Sequence, residues 1–232
     1  ALLETPDLSK EYECKGSTKI EGYVLNDYGG KAHGKLNLEE ALVKSCNTYF
    51  ADKGSIIGKD KLGEIADKFM INRKIPFDIP TSKSSFPYKE NLGKTDIAAA
   101  SIGQGKVLVT PLNMAMIASG IANKGEIVKP ILVKEVISPE GIIVRTNYSQ
   151  VLSRGVDIFT SNEIKNMMVE VVKRGTGTNA KIENIRVAGK TGTAENPSGK
   201  THAWFIGFAP ADDPKIAIAV VLEEDGTTGG KT

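Results

Sequence analysis

A lysine, two threonines and a glycine form the run with the clearest chemical potential, Lys190-Thr191-Gly192-Thr193. Lys190 offers a positive charge with three hydrogen-bond donors. Thr191 and Thr193 alternate along a predicted strand, so their hydroxyls point to one face. Gly192 leaves room for another backbone to come close. A strand edge with a cation and two hydroxyls is suited to holding an extended peptide that ends in a carboxylate.

A second polar set, Ser45-Cys46-Asn47, lies inside an apolar run that is predicted to be helical. Asn37 followed by Glu40 is a helix-start signature, and the predicted helix continues through Phe50. On the residues alone, a serine and an asparagine there are more often helix-surface residues or hydrogen-bonded core residues than parts of a site.

The cysteines and histidines show no metal-binding spacing. Cys14, Cys46, His33 and His202 include no Cys-x-x-Cys or His-x-x-x-His pair. This spacing argues against a metal site. A disulfide between the cysteines and two free thiols are both compatible with the sequence.

Composition describes an ordinary globular protein. Of the 232 residues, 40% are hydrophobic and 25% are charged. The net charge of +2 and the absence of a basic run argue against a nucleic-acid partner. No apolar stretch reaches the roughly 18 residues that a membrane span needs.

The helices and strands predicted around these residues indicate an α+β fold, with an antiparallel sheet, flanking helices and a helical lobe. Short turns separate three strand-like runs, which favours an antiparallel meander over residues 187–194, 202–210 and 215–222. A hairpin is predicted over residues 131–145. Helical spacing and capping signals predict helices over residues 59–70 and 111–120, and after a capping box at residues 160–163. Residues 36–125 are therefore expected to form a mainly helical lobe, and residues 126–232 a sheet part with one long helix near residues 161–174.

With these segments in order, the chain resembles the transpeptidase domain of high-molecular-weight penicillin-binding proteins. Ser45-Cys46-Asn47 is similar to the second motif of that family, and Lys190-Thr191-Gly192, extended by Thr193, is similar to the third. Further segments match in order and spacing, namely His33-Gly34, Gly103-Gln104-Gly105, Thr110-Pro111-Leu112 and His202-Ala203-Trp204-Phe205.

The sequence departs from the family at the nucleophile. No serine in the chain has a lysine three residues later, so the Ser-x-x-Lys motif is absent. We therefore expect residues 1–232 to be a single, incomplete transpeptidase domain, truncated at both ends. Such a fragment would be inactive on its own.

The resemblance implies acyl transfer on peptidoglycan stem peptides through a serine acyl-enzyme, with β-lactams acylating the same serine. Ser45 and Lys190 would shuttle a proton, so they must meet at hydrogen-bond distance in one cleft. Asn47 would hold the substrate amide. Thr191, Gly192 and Thr193 would line the peptide-binding strand, with the threonine hydroxyls on the terminal carboxylate and the Thr193 N–H in the oxyanion hole.

The resemblance also implies which cofactors and which cellular location to expect for the parent protein. No metal or organic cofactor is implied. The parent would be anchored in the membrane by a segment outside this chain and would act at the extracytoplasmic face of the bacterial cell membrane. The alternatives are a β-lactamase or β-lactam sensor domain, and a non-catalytic scaffold domain that has lost its nucleophile.

Overall fold

The computed structural model describes residues 1–5 and 11–231. The strands in chain order are β1 Tyr12–Cys14, β2 Ser17–Ile20, β3 Tyr23–Asn26, β4 Gly34–Leu36, β5 Glu126–Val128, β6 Glu135–Ile137, β7 Ile143–Thr146, β8 Val151–Arg154, β9 Ala188–Ala194, β10 His202–Ala209 and β11 Ile216–Leu222. The helices are α1 Leu38–Lys44, α2 Asn47–Ile57, α3 Lys59–Lys68, α4 Lys94–Ser101, α5 Pro111–Ala122 and α6 Ile158–Arg174.

The three C-terminal strands form the antiparallel meander that the sequence predicts. Their order in the sheet is β11-β10-β9, so β9, with the lysine-threonine run, has one edge without a partner strand among the described residues. Lys190 lies opposite Ile206 of β10, and Thr193 lies opposite Ala203. The predicted hairpin is also confirmed, as the pair β6 and β7.

Two helices cover the meander and form the main core with it. Helix α6 packs on β9, and α5 packs on β10 and β11. The core between them is apolar and consists of Ile121, Val156, Met168, Val169, Ala188, Phe208 and Ala211. Helix α5 is thus part of the packing of the sheet, although its position in the sequence predicts that it belongs to the helical lobe.

Two helix boundaries differ from the predicted ones. The run through Phe50 is two helices, because Ser45 has left-handed backbone angles (φ 54, ψ 47) and Cys46 is extended. The long helix begins earlier than the predicted capping box, because the Asp157 side chain accepts the Thr160 N–H and caps it. Helix α5 begins where the sequence predicts, with the Thr110 side chain accepting the Asn113 N–H as its cap.

The N-terminal strands pair locally and pack against α2. Strand β1 pairs with β4, and β2 pairs with β3. A second core joins β1 and β4 to α1 and α2 and includes Cys14, Leu36, Ala41, Cys46 and Tyr49. In the part of the chain that the structure describes, no helix has the length and apolar character to cross a membrane.

Candidate active site

A cleft of about 670 Å³ lies between α1, α2 and the free edge of β9. All six residues singled out in the sequence line it: Ser45, Asn47, Lys190, Thr191, Gly192 and Thr193. Residues from two distant parts of the chain therefore face one space.

Ser45 lies at the C-terminal end of α1, in the short junction before α2. Its left-handed backbone conformation is unfavourable for a residue with a side chain. Such strain is found at functional sites more often than elsewhere. The junction turns the hydroxyl out of the helix, and Lys190 Nζ donates a hydrogen bond of 2.9 Å to Ser45 Oγ. The expected approach of these two side chains is thus present.

Lys190 is a cation in an unfavourable environment. Its Nζ also donates to the Thr191 carbonyl at 2.7 Å. Part of the side chain remains accessible at the wall of the cleft, yet burial lowers the pKa of Lys190 to about 8. A lysine with a pKa near the working pH exchanges protons more readily than an ordinary surface lysine.

Thr176 joins the site from the turn after α6, and it was not among the residues predicted from the sequence. Its hydroxyl and that of the buried Thr191 are 2.6 Å apart, and either one can be the donor. The Thr176 N–H also donates to the Val43 carbonyl of α1 at 3.3 Å. One turn thus touches both the helix that ends at Ser45 and the strand that carries Lys190. Nothing in the local sequence distinguishes this threonine from others in glycine-rich turns.

Gln104 bridges the helical region to the free end of β9. Its Nε2 donates to the Thr193 carbonyl at 3.0 Å, and its Oε1 accepts the Glu195 N–H at 3.2 Å. The side-chain amide therefore pairs with β9 as a short piece of strand would. The Gly-Gln-Gly segment was part of the resemblance, but no role for its glutamine was predicted.

Four side chains with metal-binding atoms lie together beside Asn47: Cys14, Asp27, His33 and Cys46. Both cysteines are buried free thiols, so the disulfide left open by the sequence does not form. The spacing of these residues in the sequence does not reveal the group, because its members come from separate segments that only the fold brings together. Burial raises the pKa of Asp27, but hydrogen bonds from the Cys46 thiol and the Asn47 N–H outweigh it and hold that pKa below its ordinary value.

A sequence model of the penicillin binding protein transpeptidase domain matches residues 5–232. The chain is 34% identical over 218 residues to the peptidoglycan D,D-transpeptidase PbpA of Mycolicibacterium smegmatis, covering 89% of the chain and 44% of that protein. It is 34% identical over 222 residues to the stage V sporulation protein D of Bacillus subtilis, covering 92% of the chain and 34% of that protein. The chain thus spans less than half the length of these relatives.

Solved structures share the fold over nearly the whole chain. The D,D-transpeptidase domain of a peptidoglycan glycosyltransferase from Eggerthella lenta matches with a TM-score of 0.92 at 33% identity, over 99% of the chain and 58% of that structure. The ceftriaxone acyl-enzyme complex of penicillin-binding protein A from M. tuberculosis matches with a TM-score of 0.91 at 31% identity, over 99% of the chain and 54% of that structure.

Proposed function

The chain belongs to the penicillin-binding protein transpeptidase domain family, and from this membership we propose that it forms most of the acyl-transfer cleft of a peptidoglycan D,D-transpeptidase. The observation that carries the proposal is the 2.9 Å hydrogen bond from Lys190 Nζ to Ser45 Oγ, inside a cleft bordered by a free strand edge. The relatives' names support the peptidoglycan substrate, and the acyl-enzyme complexes of the structural neighbours support β-lactam binding.

The proposed chemistry needs a proton path and a binding edge. Ser45 and Lys190 together pass a proton to the nitrogen that leaves when the D-Ala-D-Ala peptide bond is cleaved. Because burial favours the neutral amine of Lys190, this pair gains and loses a proton at low cost. Acyl transfer also requires a nucleophile, and this sequence holds no Ser-x-x-Lys motif. We assign the nucleophile to the longer parent protein.

The free edge of β9 is the proposed peptide-binding surface. An extended stem peptide would add to this edge as a further strand, because no strand in the described part of the chain pairs with this edge of β9. Thr191 and Thr193 hydroxyls would bind the terminal carboxylate, Asn47 the substrate amide, and the Thr193 N–H would contribute to the oxyanion hole. Gly192 lies between the two threonines on the same proposed binding strand. These reactions take place on the cell wall, so we place the parent outside the cytoplasmic membrane and anchored to it.

The proposal is tested with a fluorescent penicillin on the 232-residue chain and on its longer parent. We expect no covalent adduct on the chain alone and one adduct on the parent, at a serine of a Ser-x-x-Lys motif. In the parent, Lys190→Ala should slow acylation by roughly 10²–10⁴-fold. Ser45→Ala should slow it too, and the double variant should lose less than the product of the two effects, because residues that act as one unit are not additive.

Several outcomes would overturn the assignment. A stoichiometric adduct on a serine of this chain would reveal a different nucleophile. Rapid hydrolysis of penicillin by the parent would indicate a β-lactamase, and no adduct on the parent would indicate a scaffold domain. Fully multiplicative effects of Ser45→Ala and Lys190→Ala on the acylation rate would mean that the two residues act independently and do not share one proton-transfer step.

A further inference from the structure

The hydroxyls of Thr176 and Thr191 form a pair at the wall of the cleft. The two oxygens are 2.6 Å apart, which is at the short end for a hydrogen bond between hydroxyls. Among the described residues, neither hydroxyl has another hydrogen-bond partner. Both residues line the cleft, and Thr191 is only 9% exposed. The pair therefore borders the space that a ligand would occupy.

Two hydroxyls that bond only to each other leave one hydrogen unused. Each hydroxyl has one hydrogen and two lone pairs, and their mutual bond uses one of the hydrogens. If Thr176 donates, the Thr191 hydrogen is free, and if Thr191 donates, the Thr176 hydrogen is free. A ligand acceptor that binds the Thr191 hydroxyl selects the first arrangement. Thr176 is then the donor within the pair, and Thr191 donates its own hydrogen to the ligand.

The backbone of Thr176 is fixed by contacts on both sides. Its N–H donates to the Val43 carbonyl of α1 at 3.3 Å, and a Cβ on Gly230 would lie 2.5 Å from the Thr176 carbonyl oxygen. The Gly230 carbonyl in turn accepts a hydrogen bond of 2.9 Å from Asn179 Nδ2. Threonine is β-branched, so few χ1 rotamers are open to it. The Thr176 hydroxyl therefore has little freedom to turn away from Thr191.

The surroundings of the pair favour an anionic acceptor. Four lysines line the cleft against two acidic residues, which are Asp27 and Glu195. One of these lysines, Lys190, donates from Nζ to the Thr191 carbonyl at 2.7 Å. A hydroxyl that already accepts a hydrogen bond is a stronger donor, because the two bonds polarise each other. A charged acceptor forms the stronger hydrogen bonds, so a carboxylate gains more from this arrangement than a neutral ester does.

We propose that Thr176 is a positioning residue for carboxylate recognition. Its hydroxyl donates to Thr191 Oγ1 and thereby directs the Thr191 hydrogen at the terminal carboxylate of the ligand. Thr176 acts through Thr191, and its effect is a preference for ligands whose carboxylate is free. This inference rests on the proposed function, because it concerns the carboxylate end of the stem peptide and of the β-lactams that acylate the parent.

The experiment compares two ligands that differ only in the carboxylate, benzylpenicillin and its methyl ester. The second-order rate constant of acylation is measured for each on the parent protein. Thr176→Val keeps the shape of threonine and removes the hydroxyl. It should slow acylation by benzylpenicillin by roughly tenfold and acylation by the ester by less than about twofold. Thr176→Ser retains the hydroxyl and should restore most of the preference for the free carboxylate.

Thr178→Val is the matched control for the loss of a threonine hydroxyl in this segment. Thr178 lies two residues later, is exposed and lies outside the lining of the cleft. This variant should leave both rate constants unchanged. The rate with the ester also reports whether each variant is folded, since it requires the same cleft without the carboxylate contact. A loss of equal size with benzylpenicillin and with the ester would show a structural role and overturn the inference.

The route through Thr191 is tested with Thr191→Val and with the double variant. Because Thr176 acts only through Thr191, adding Thr176→Val to Thr191→Val should slow acylation by benzylpenicillin by less than about twofold. Fully multiplicative effects of the two changes would overturn this route.

The same measurements separate this inference from the proposed function. A parent that is slowed by Lys190→Ala but keeps its full preference for the free carboxylate in Thr176→Val would overturn the inference and leave the proposed function standing. A wild-type parent that benzylpenicillin never acylates would overturn the proposed function, and the inference with it.

Discussion

At the scale of single residues, the buried amine of Lys190 makes stability depend on pH. Its pKa falls from 10.5 to about 8 on folding, so the unfolded chain binds more protons than the folded chain between these values. Stability due to this group therefore rises with pH across that window, by up to roughly 3 kcal/mol.

This dependence is measured by urea unfolding of the wild type and Lys190→Met from pH 7 to pH 10.5. Because other titrating groups are common to both proteins, their difference isolates Lys190. We expect the free energy of unfolding of the wild type to rise relative to that of Lys190→Met as pH rises above 8. A constant difference would mean that the lysine has an ordinary pKa.

The left-handed backbone of Ser45 predicts a contrast between two substitutions that both remove the hydroxyl. Glycine adopts φ 54 freely, whereas alanine carries the same backbone cost as serine. Ser45→Gly should therefore be more stable than Ser45→Ala by about 1 kcal/mol, while both lose the bond to Lys190. Chemical denaturation compares them, and equal stability would show that the junction relaxes to another conformation.

At the scale of elements, the turn after α6 contacts both α1 and β9. In this turn, Gly175 has no space for a side chain. A Cβ on Gly175 would lie 2.5 Å from the Val43 carbonyl oxygen, which is backbone and cannot move aside. Gly175→Ala should cost about 1–3 kcal/mol and shift Ser45 away from Lys190. The loss of stability is measured by denaturation, and the shift by the changed amide signals of residues 43–47 in NMR spectra.

Gly177 provides the matched control two residues later. A Cβ there first meets a methyl group of Val171 at 3.3 Å, a contact that needs a shift of only a few tenths of an ångström. Gly177→Ala should therefore change stability by less than about 1 kcal/mol. Equal costs at both positions would contradict the role of the Gly175 contact.

The elements show where sequence reasoning succeeds and where it stops. Periodicity and turn residues suffice for the meander and the long helices, because these patterns are local. The end of α1 at Ser45 was not predicted, because the apolar residues on both sides of it continue the helical pattern. The contact of Cys46 with Asp27 that accompanies this turn is long-range, so it cannot be seen in the local sequence. Thr176 and the group around Asp27 were not predicted for the same reason, because their contacts join residues that are distant in the sequence and meet only after folding.

At the scale of the whole molecule, the meander leaves an apolar row on one face. Ile216, Ile218, Val220 and Leu222 alternate along β11 and are 66%, 43%, 47% and 43% exposed. Their neighbours face the opposite side, where α5 packs. A continuous exposed apolar patch of this kind favours association.

We expect Ile218→Thr combined with Val220→Thr to reduce binding of the dye ANS and self-association in sedimentation, with little loss of stability. Ile142→Thr combined with Val144→Thr is the control, since both residues are 66% exposed but lie on the separate β6–β7 hairpin region. Equal reductions by the two double variants would show that total apolar exposure matters and the row does not.

The Gln104 bridge implies competition within the molecule itself. A peptide that extends the sheet at β9 must take the Thr193 carbonyl and the Glu195 N–H from an amide already bonded to both. That amide is tethered a few ångströms away, so its effective concentration far exceeds that of any free peptide. If a stem peptide binds at β9 as proposed, we expect short or poorly aligned peptides not to displace this amide, whereas a ligand that makes further contacts along the cleft should bind. The Gln104 hydrogen bonds would thus set a minimum binding energy that a peptide must supply before acyl transfer can begin.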